Sequence, residues 1–209
     1  MLYSRPTDAG GIRVAVETAM TARLGPRLFS RRILRGFANE SVRLGAFDQL
    51  RVSVSTELAR FLDDPGLAPP WVAGHFFDEL VAVLVALRGR DAARGLGREM
   101  MRTGGLLEVL TPIIRFSLDF VGSRPDALFG NLQALASVVS RGTGLAWIAG
   151  EGSTGTIWMW SEEKVPESSR APWEGAFSYA FDLTGTTGGV ERAVPNAAGD
   201  GCEIHVRWD

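Results

Sequence analysis

The chain has 209 residues, 45% hydrophobic and 22% charged, with a formal net charge of −2. That balance is ordinary for a globular chain and argues against wholesale disorder and against a dedicated nucleic-acid binder, which would carry a basic stripe. A single cysteine, Cys202, excludes an intrachain disulfide and a cysteine-rich zinc site.

The N-terminus, Met1 to Pro6, lacks the apolar run of a signal peptide, and Val81 to Leu87 is far too short to span a bilayer. A cytoplasmic location without membrane insertion is therefore expected. Nearly all positive charge is arginine, with Lys164 the only lysine. Genome composition accounts for that bias better than a phosphate site does.

In chain order, residues 1–68 read as a helical N-terminal part. Ile12 to Leu24 and Arg27 to Leu44 carry apolar residues at helical spacing, and Arg31, Arg32 and Arg35 form a solvated face on the second. Ser55 to Leu62 is a short helix, closed by Asp63-Asp64-Pro65-Gly66, whose acids suit a turn better than a metal site. From residue 70 onward, Val72 to Leu87 is a largely buried helix. Helices follow over Ala92 to Thr103, Leu106 to Val121 (with Pro112 opening its main body) and Ala127 to Ser140.

Alternation replaces helical spacing near Arg141. Thr143 to Ala149 and Gly155 to Trp160 form a hairpin about Gly150 to Ser153, and Gly188 to Val194 pairs with Cys202 to Trp208. Between them, Ala171 to Leu183 fits a strand and a helix equally well. The class is α+β: one domain over 1–209, with helices packed on a small C-terminal antiparallel sheet.

Chemistry is narrowly bounded. His205 alternates with Glu203 and Arg207 on a polar strand face, and His75 opens an apolar helix as a packing or capping residue. No G-x-S-x-G elbow, histidine–carboxylate metal cluster or P-loop occurs. Gly95-Leu96-Gly97-Arg98 lies inside a helical pattern, so close helix packing explains its glycines better than a dinucleotide does. An enzyme would have to rely on carboxylates such as Glu99 or Glu174. No catalytic residue, metal or cofactor is expected.

Five of the six tryptophans fall in the strand-rich part, which marks it for ligand or partner binding. The candidate ligand-binding residues are Trp147, Trp158, Phe177 and Phe181, with Met100 and Leu106 as opposing walls.

The run Phe76-Phe77-Asp78-Glu79-Leu80, Arg88-Gly89-Arg90, Leu96-Gly97-Arg98-Glu99, Trp173-Glu174-Gly175-Ala176 and Gly201 through Trp208 resembles a paralogous, uncharacterised myxobacterial family of similar length. That family is similar, more distantly, to a superfamily of haem–nitric-oxide-binding domains, vinyl-reductase-type domains and TRAPP subunits. The resemblance implies a β-β-α-β-β sheet region with Ala171 to Leu183 as its inserted helix. The fold does not fix function, and the leading expectation for the chain is a non-enzymatic signalling or regulatory module that acts through contacts with a protein partner and binds a small apolar ligand. A scaffold that assembles through a helical face is the alternative, and a homodimer is expected under either. The Tyr-x-Ser-x-Arg motif of the haem relatives is absent, and only the second of the paired cysteines of vinyl-reductase-type domains is matched, by Cys202.

Overall fold

The computed structural model describes residues 23–103, 106–121, 124–196 and 201–209, with the side chains of 106–109, 117, 120 and 121 outside the described set. The helix expected over Ile12 to Leu24 lies almost wholly outside it.

Two helices expected to start at Arg27 and Val72 are each preceded by a three-residue strand. β1 (Leu28–Ser30) runs into α1 (Arg31–Arg43), and β2 (Trp71–Ala73) runs into α4 (Gly74–Arg88). Pro69-Pro70 favours extended backbone before β2, and the Ser30 hydroxyl accepts from the Arg32 N–H to start α1. β1 pairs antiparallel with β2 and with β3 (Ser140–Arg141), giving a small sheet of order β2-β1-β3. On α1, Ile33, Leu34 and Phe37 are buried while Arg31, Arg32 and Arg35 are exposed.

α2 (Phe47–Ser53), not anticipated, and α3 (Thr56–Asp63) follow α1. The acids after α3 are structural: Asp63 pairs with Arg51, and the Asp64 carboxylate accepts from the Gly66 N–H at 2.9 Å. α5 (Arg90–Thr103) and α6 (Leu106–Val121) come next; Pro112 sits inside α6, not at its start. The helix expected over Ala127 to Ser140 is broken at Gly130-Asn131 into α7 (Pro125–Phe129) and α8 (Leu132–Ser137), after which the chain enters β3.

The larger sheet contains β4 (Gly144–Ala149), β5 (Thr154–Trp160), β6 (Gly188–Val190), β7 (Val194–Pro195) and β8 (Gly201–Trp208). Its order is β4-β5-β8-β6, antiparallel throughout, with β7 also on β8. α9 (Glu167–Thr184) connects β5 to β6, so the ambiguous segment is a helix and the order is β-β-α-β-β. It ends on Gly185 at φ +64°, where the N–H groups of Gly185 and Thr186 both donate to the Phe181 carbonyl. The protein is α+β.

β8 shows the expected period of two: Cys202, Ile204, Val206 and Trp208 are buried and His205 and Arg207 exposed. Against this core, α5 and α9 cross with their backbones in contact. A Cβ on Gly97 would lie 2.0 Å from the Pro172 carbonyl oxygen, and one on Gly175 would lie 1.8 Å from that of Arg94. Only glycine fits either point. Gly97, one of the glycines of the Gly95–Arg98 segment, is thus a helix-packing residue.

Candidate functional site

Two apolar pockets adjoin along the inner side of α9. The first, about 80 Å³, lies among α6, α7, α8, α9 and β4 and is lined by Leu110, Ile114, Phe129, Leu132, Phe177 and their neighbours. The second, about 70 Å³, lies between α9 and the β1–α1 junction, with Phe29, Ile33, Phe77 and Met100 in its walls. Met101, Val139, Trp173 and Ala176, all half-buried, line both and mark where they meet. Trp173 stands between Phe177 and Phe29, at ring-centroid distances of 5.8 and 6.3 Å. Among the described residues Tyr179 is the one hydroxylated side chain in these walls, and burial holds its phenol above the ordinary value, hence protonated.

Of the residues singled out from the sequence, Phe177 lines the first pocket and Met100 the second. Trp147 and Phe181 do not touch either pocket directly; both pack on Phe129, at 4.9 and 6.2 Å, and Phe129 is a wall of the first. Trp158 is on the other face of the sheet, clustered with Trp160, Leu24, Ala146 and Ile148. The Leu106 side chain lies outside the described residues. Trp173, Met101, Val139 and Ala176 were not singled out. Trp173 carried the one legible signal, an aromatic at i−4 to Phe177 in a segment that could be helical.

The carboxylates open to an enzyme reading are engaged by arginines. Glu174 is fully buried and receives two hydrogen bonds from Arg90, at 2.9 and 2.5 Å, and one from the Ala193 N–H at 2.7 Å. Glu99 pairs with Arg102 and Arg43, and the Arg102 hydrogen bond holds its carboxyl below the usual range. His205 is exposed and sits 3.1 Å from the Thr156 hydroxyl; His75 is exposed and its ring lies against Phe76. Among the described residues no group of three His, Cys, Asp or Glu side chains could hold a metal ion, and no helix is long and apolar enough to cross a membrane.

Cys202 is buried on the inner face of β8, and desolvation pushes its thiol up to about 11. At pH 8 it is a protonated, covered thiol. The native protein is therefore expected to leave an aromatic disulfide reagent unreacted over hours at pH 8, whereas the denatured chain titrates one thiol at once. Rapid labelling of the native form would contradict this placement.

The helices that precede the five-stranded sheet, and the single helix inserted between its strand pairs, define the fold of the H-NOX domains. An H-NOX protein from K. algicida in its unliganded Fe(II) state superposes with a TM-score of 0.62 at 8% identity, over 86% of this chain and 96% of that one. An S. oneidensis H-NOX mutant gives 0.62 at 9% identity over the same shares. An oxygen-binding H-NOX domain related to soluble guanylate cyclases, in its oxygen complex, gives 0.56 at 12% identity over 85% and 93%. No family model and no curated protein matches the sequence. The likeness is one of fold.

Haem features in work on the H-NOX family, and a haem needs an axial ligand and a cavity of its own size. No histidine and no cysteine lines either pocket, and Tyr179 is the one described side chain in their walls with an oxygen to offer. Each pocket is also well below the ~300–1,000 Å³ common for cofactor and drug-sized ligands. The described residues do not fit a haem.

Proposed function

We propose that this chain is a non-enzymatic signalling or regulatory module of the cytoplasm, which binds a small apolar molecule and acts through contacts with a protein partner, itself as a homodimer. The observation that carries the reading is the pair of adjoining pockets walled by apolar side chains, meeting at Trp173 and Ala176. Their volumes, about 80 and 70 Å³, are each about half of the ~150 Å³ at which an apolar cavity stays dry and accepts benzene or xenon. A ligand of a few heavy atoms suits one pocket, and a ring-sized ligand suits both together.

The H-NOX fold supports a ligand-binding reading by analogy only, since a fold hosts many functions. The scaffold alternative needs an apolar stripe along α6. Of its described side chains, Leu110 and Ile114 turn inward, Ile113 and Leu118 are half-buried, and Pro112 and Phe116 are exposed, so the preference for the ligand reading rests on the pockets and not on this helix. Native mass spectrometry of the gently purified full chain tests it. A dimer carrying a volatile or organic adduct that is lost on mild activation is expected; a ligand-free monomer in every preparation would overturn the reading.

A further inference from the structure

The opposite side of α9 carries a different kind of space. A groove of about 360 Å³ is bounded by Asp91, Arg94, Gly95 and Arg98 of α5, by Gly175, Ser178 and Phe181 of α9, and by Gly188 to Val190 of β6. Among the described residues it shares no lining side chain with the two apolar pockets, and its volume falls in the ordinary range for a small-molecule site.

Its polar groups are unequally engaged. Arg98 is held by Asp182 through two hydrogen bonds, at 2.8 and 2.5 Å. Ser178 donates to the Glu174 carbonyl. Arg94, half-buried, donates from Nη2 to the Val190 carbonyl and has no carboxylate partner among the described residues. A guanidinium carries five N–H donors in a fork that matches a carboxylate. Most of those on Arg94 remain for a ligand.

The β6 edge adds donors. Asp209 donates to the Thr187 carbonyl and Glu191 to that of His205, and Gly189 stands opposite Arg207, so residues 187, 189 and 191 turn their backbone groups toward β8. Gly188 and Val190 therefore turn theirs toward the open edge, and the Arg94–Val190 bond places that edge on the groove. Gly95 leaves the facing wall bare: a Cβ there would meet nothing within 4 Å. Phe181 supplies an apolar floor.

We propose that this groove binds a small organic monocarboxylate, its head group on the Arg94 guanidinium and the outward amides of β6, its apolar body over Phe181. Charge decides the class. Arg98 is neutralised by Asp182, which leaves the Arg94 fork to match one added negative charge, whereas a phosphate dianion would bring a second charge beside Asp91 with no further unpaired cation among the described residues of the groove.

The test is titration of the full chain with benzoate, benzamide and phenyl phosphate, read by amide NMR at Gly188, Gly189 and Val190. Benzoate is expected to shift these amides saturably, and benzamide, which has the same shape without the charge, to leave them in place. Arg94→Gln keeps a donor for the Val190 carbonyl and should weaken benzoate at least ~10-fold, with the remaining spectrum unchanged. Gly95→Leu, a good helix former that fills the groove, should abolish binding. The proposal is overturned by unshifted amides, by benzamide matching benzoate, by tighter phenyl phosphate, or by undiminished binding in Arg94→Gln. The apolar pockets have their own reporters, so either site can fail alone.

Discussion

Replacing Gly97 with alanine is expected to destabilise the fold by about 3 kcal/mol or more, while the same change two residues earlier, at Gly95, stabilises it by ~0.5–1 kcal/mol. Both glycines sit in α5 and both gain the same helix propensity. They differ in what the added methyl meets: the Pro172 carbonyl oxygen at 2.0 Å and its carbonyl carbon at 2.7 Å for Gly97, open space for Gly95. A flexible side chain could yield, but a helix backbone cannot, so α5 and α9 must part and the pockets and buried side chains beside them lose contacts. Gly175→Ala should behave as Gly97→Ala does, because its Cβ would stand 1.8 Å from the Arg94 carbonyl oxygen. For a chain of this size the two signs correspond to a midpoint lowered by ~6–12 °C and one raised by ~1–4 °C. A Gly97→Ala protein as stable as the parent would mean that the helices do not touch there.

Loss of the Glu174 carboxylate should be comparably damaging. Glu174→Gln leaves the Arg90 guanidinium, with 21% of its side chain exposed, without its counter-charge at a fully buried position. Removing one partner of a buried pair costs ~3–5 kcal/mol, and the partial exposure of Arg90 sets the expectation near the lower end, about 3 kcal/mol. The informative variant is the double one. Arg90→Met with Glu174→Met removes both charges and should recover most of that loss, since apolar replacement of a buried pair is often neutral. Recovery will be incomplete because the Ala193 N–H, which donates to Glu174 Oε1, then has no acceptor, at a cost of ~1–3 kcal/mol. Urea denaturation of the three variants checks this. Equal loss in the single and double variants would mean that packing, not charge pairing, dominates at Glu174.

These two sites also explain a motif whose function could not be read directly. Trp173-Glu174-Gly175-Ala176 is one of the runs that carry the family resemblance, yet its four residues do different things. Trp173 and Ala176 are pocket walls, Glu174 is a buried anion and Gly175 is a helix contact. Spacing along a helix assigns faces, but not which face meets a cavity and which a neighbouring backbone.

The larger sheet was legible because β4, β5 and β8 are long enough to alternate, and the alternation in β8 separates Cys202, Ile204, Val206 and Trp208 from His205 and Arg207. The smaller sheet was not. β1 and β2 have three residues each and run straight into helices, so no period develops before the helical one begins. Ala171 to Leu183 was ambiguous because α9 is buried on most of its surface, so apolar residues fall at both spacings.

The candidate site was legible only in part, for related reasons. Trp147 and Trp158 both looked like wall residues, but register puts Trp147 opposite Ile157 on the inner face and Trp158 with Trp160 on the outer one. Apolar residues on both faces of β5 hide which face is inside. A pocket exists where side chains fail to fill the space between helices, a property of packing volume that residue identity alone does not carry. Trp173 and Ala176 line both pockets because one is large and the other small at neighbouring turns of α9.

Xenon is the sharpest probe of whether the adjoining pockets take a small apolar molecule. The measurement is methyl NMR of the full-length protein under increasing xenon pressure, with the Met101 ε-methyl as reporter because that residue lines both pockets. A saturable shift at Met101, Leu135 and Val139 is expected, and Ala176→Leu, which fills the junction, should remove it while leaving the rest of the spectrum in place. No saturable shift at Met101, or one that persists unchanged in Ala176→Leu, would mean that the adjoining pockets do not take such a molecule.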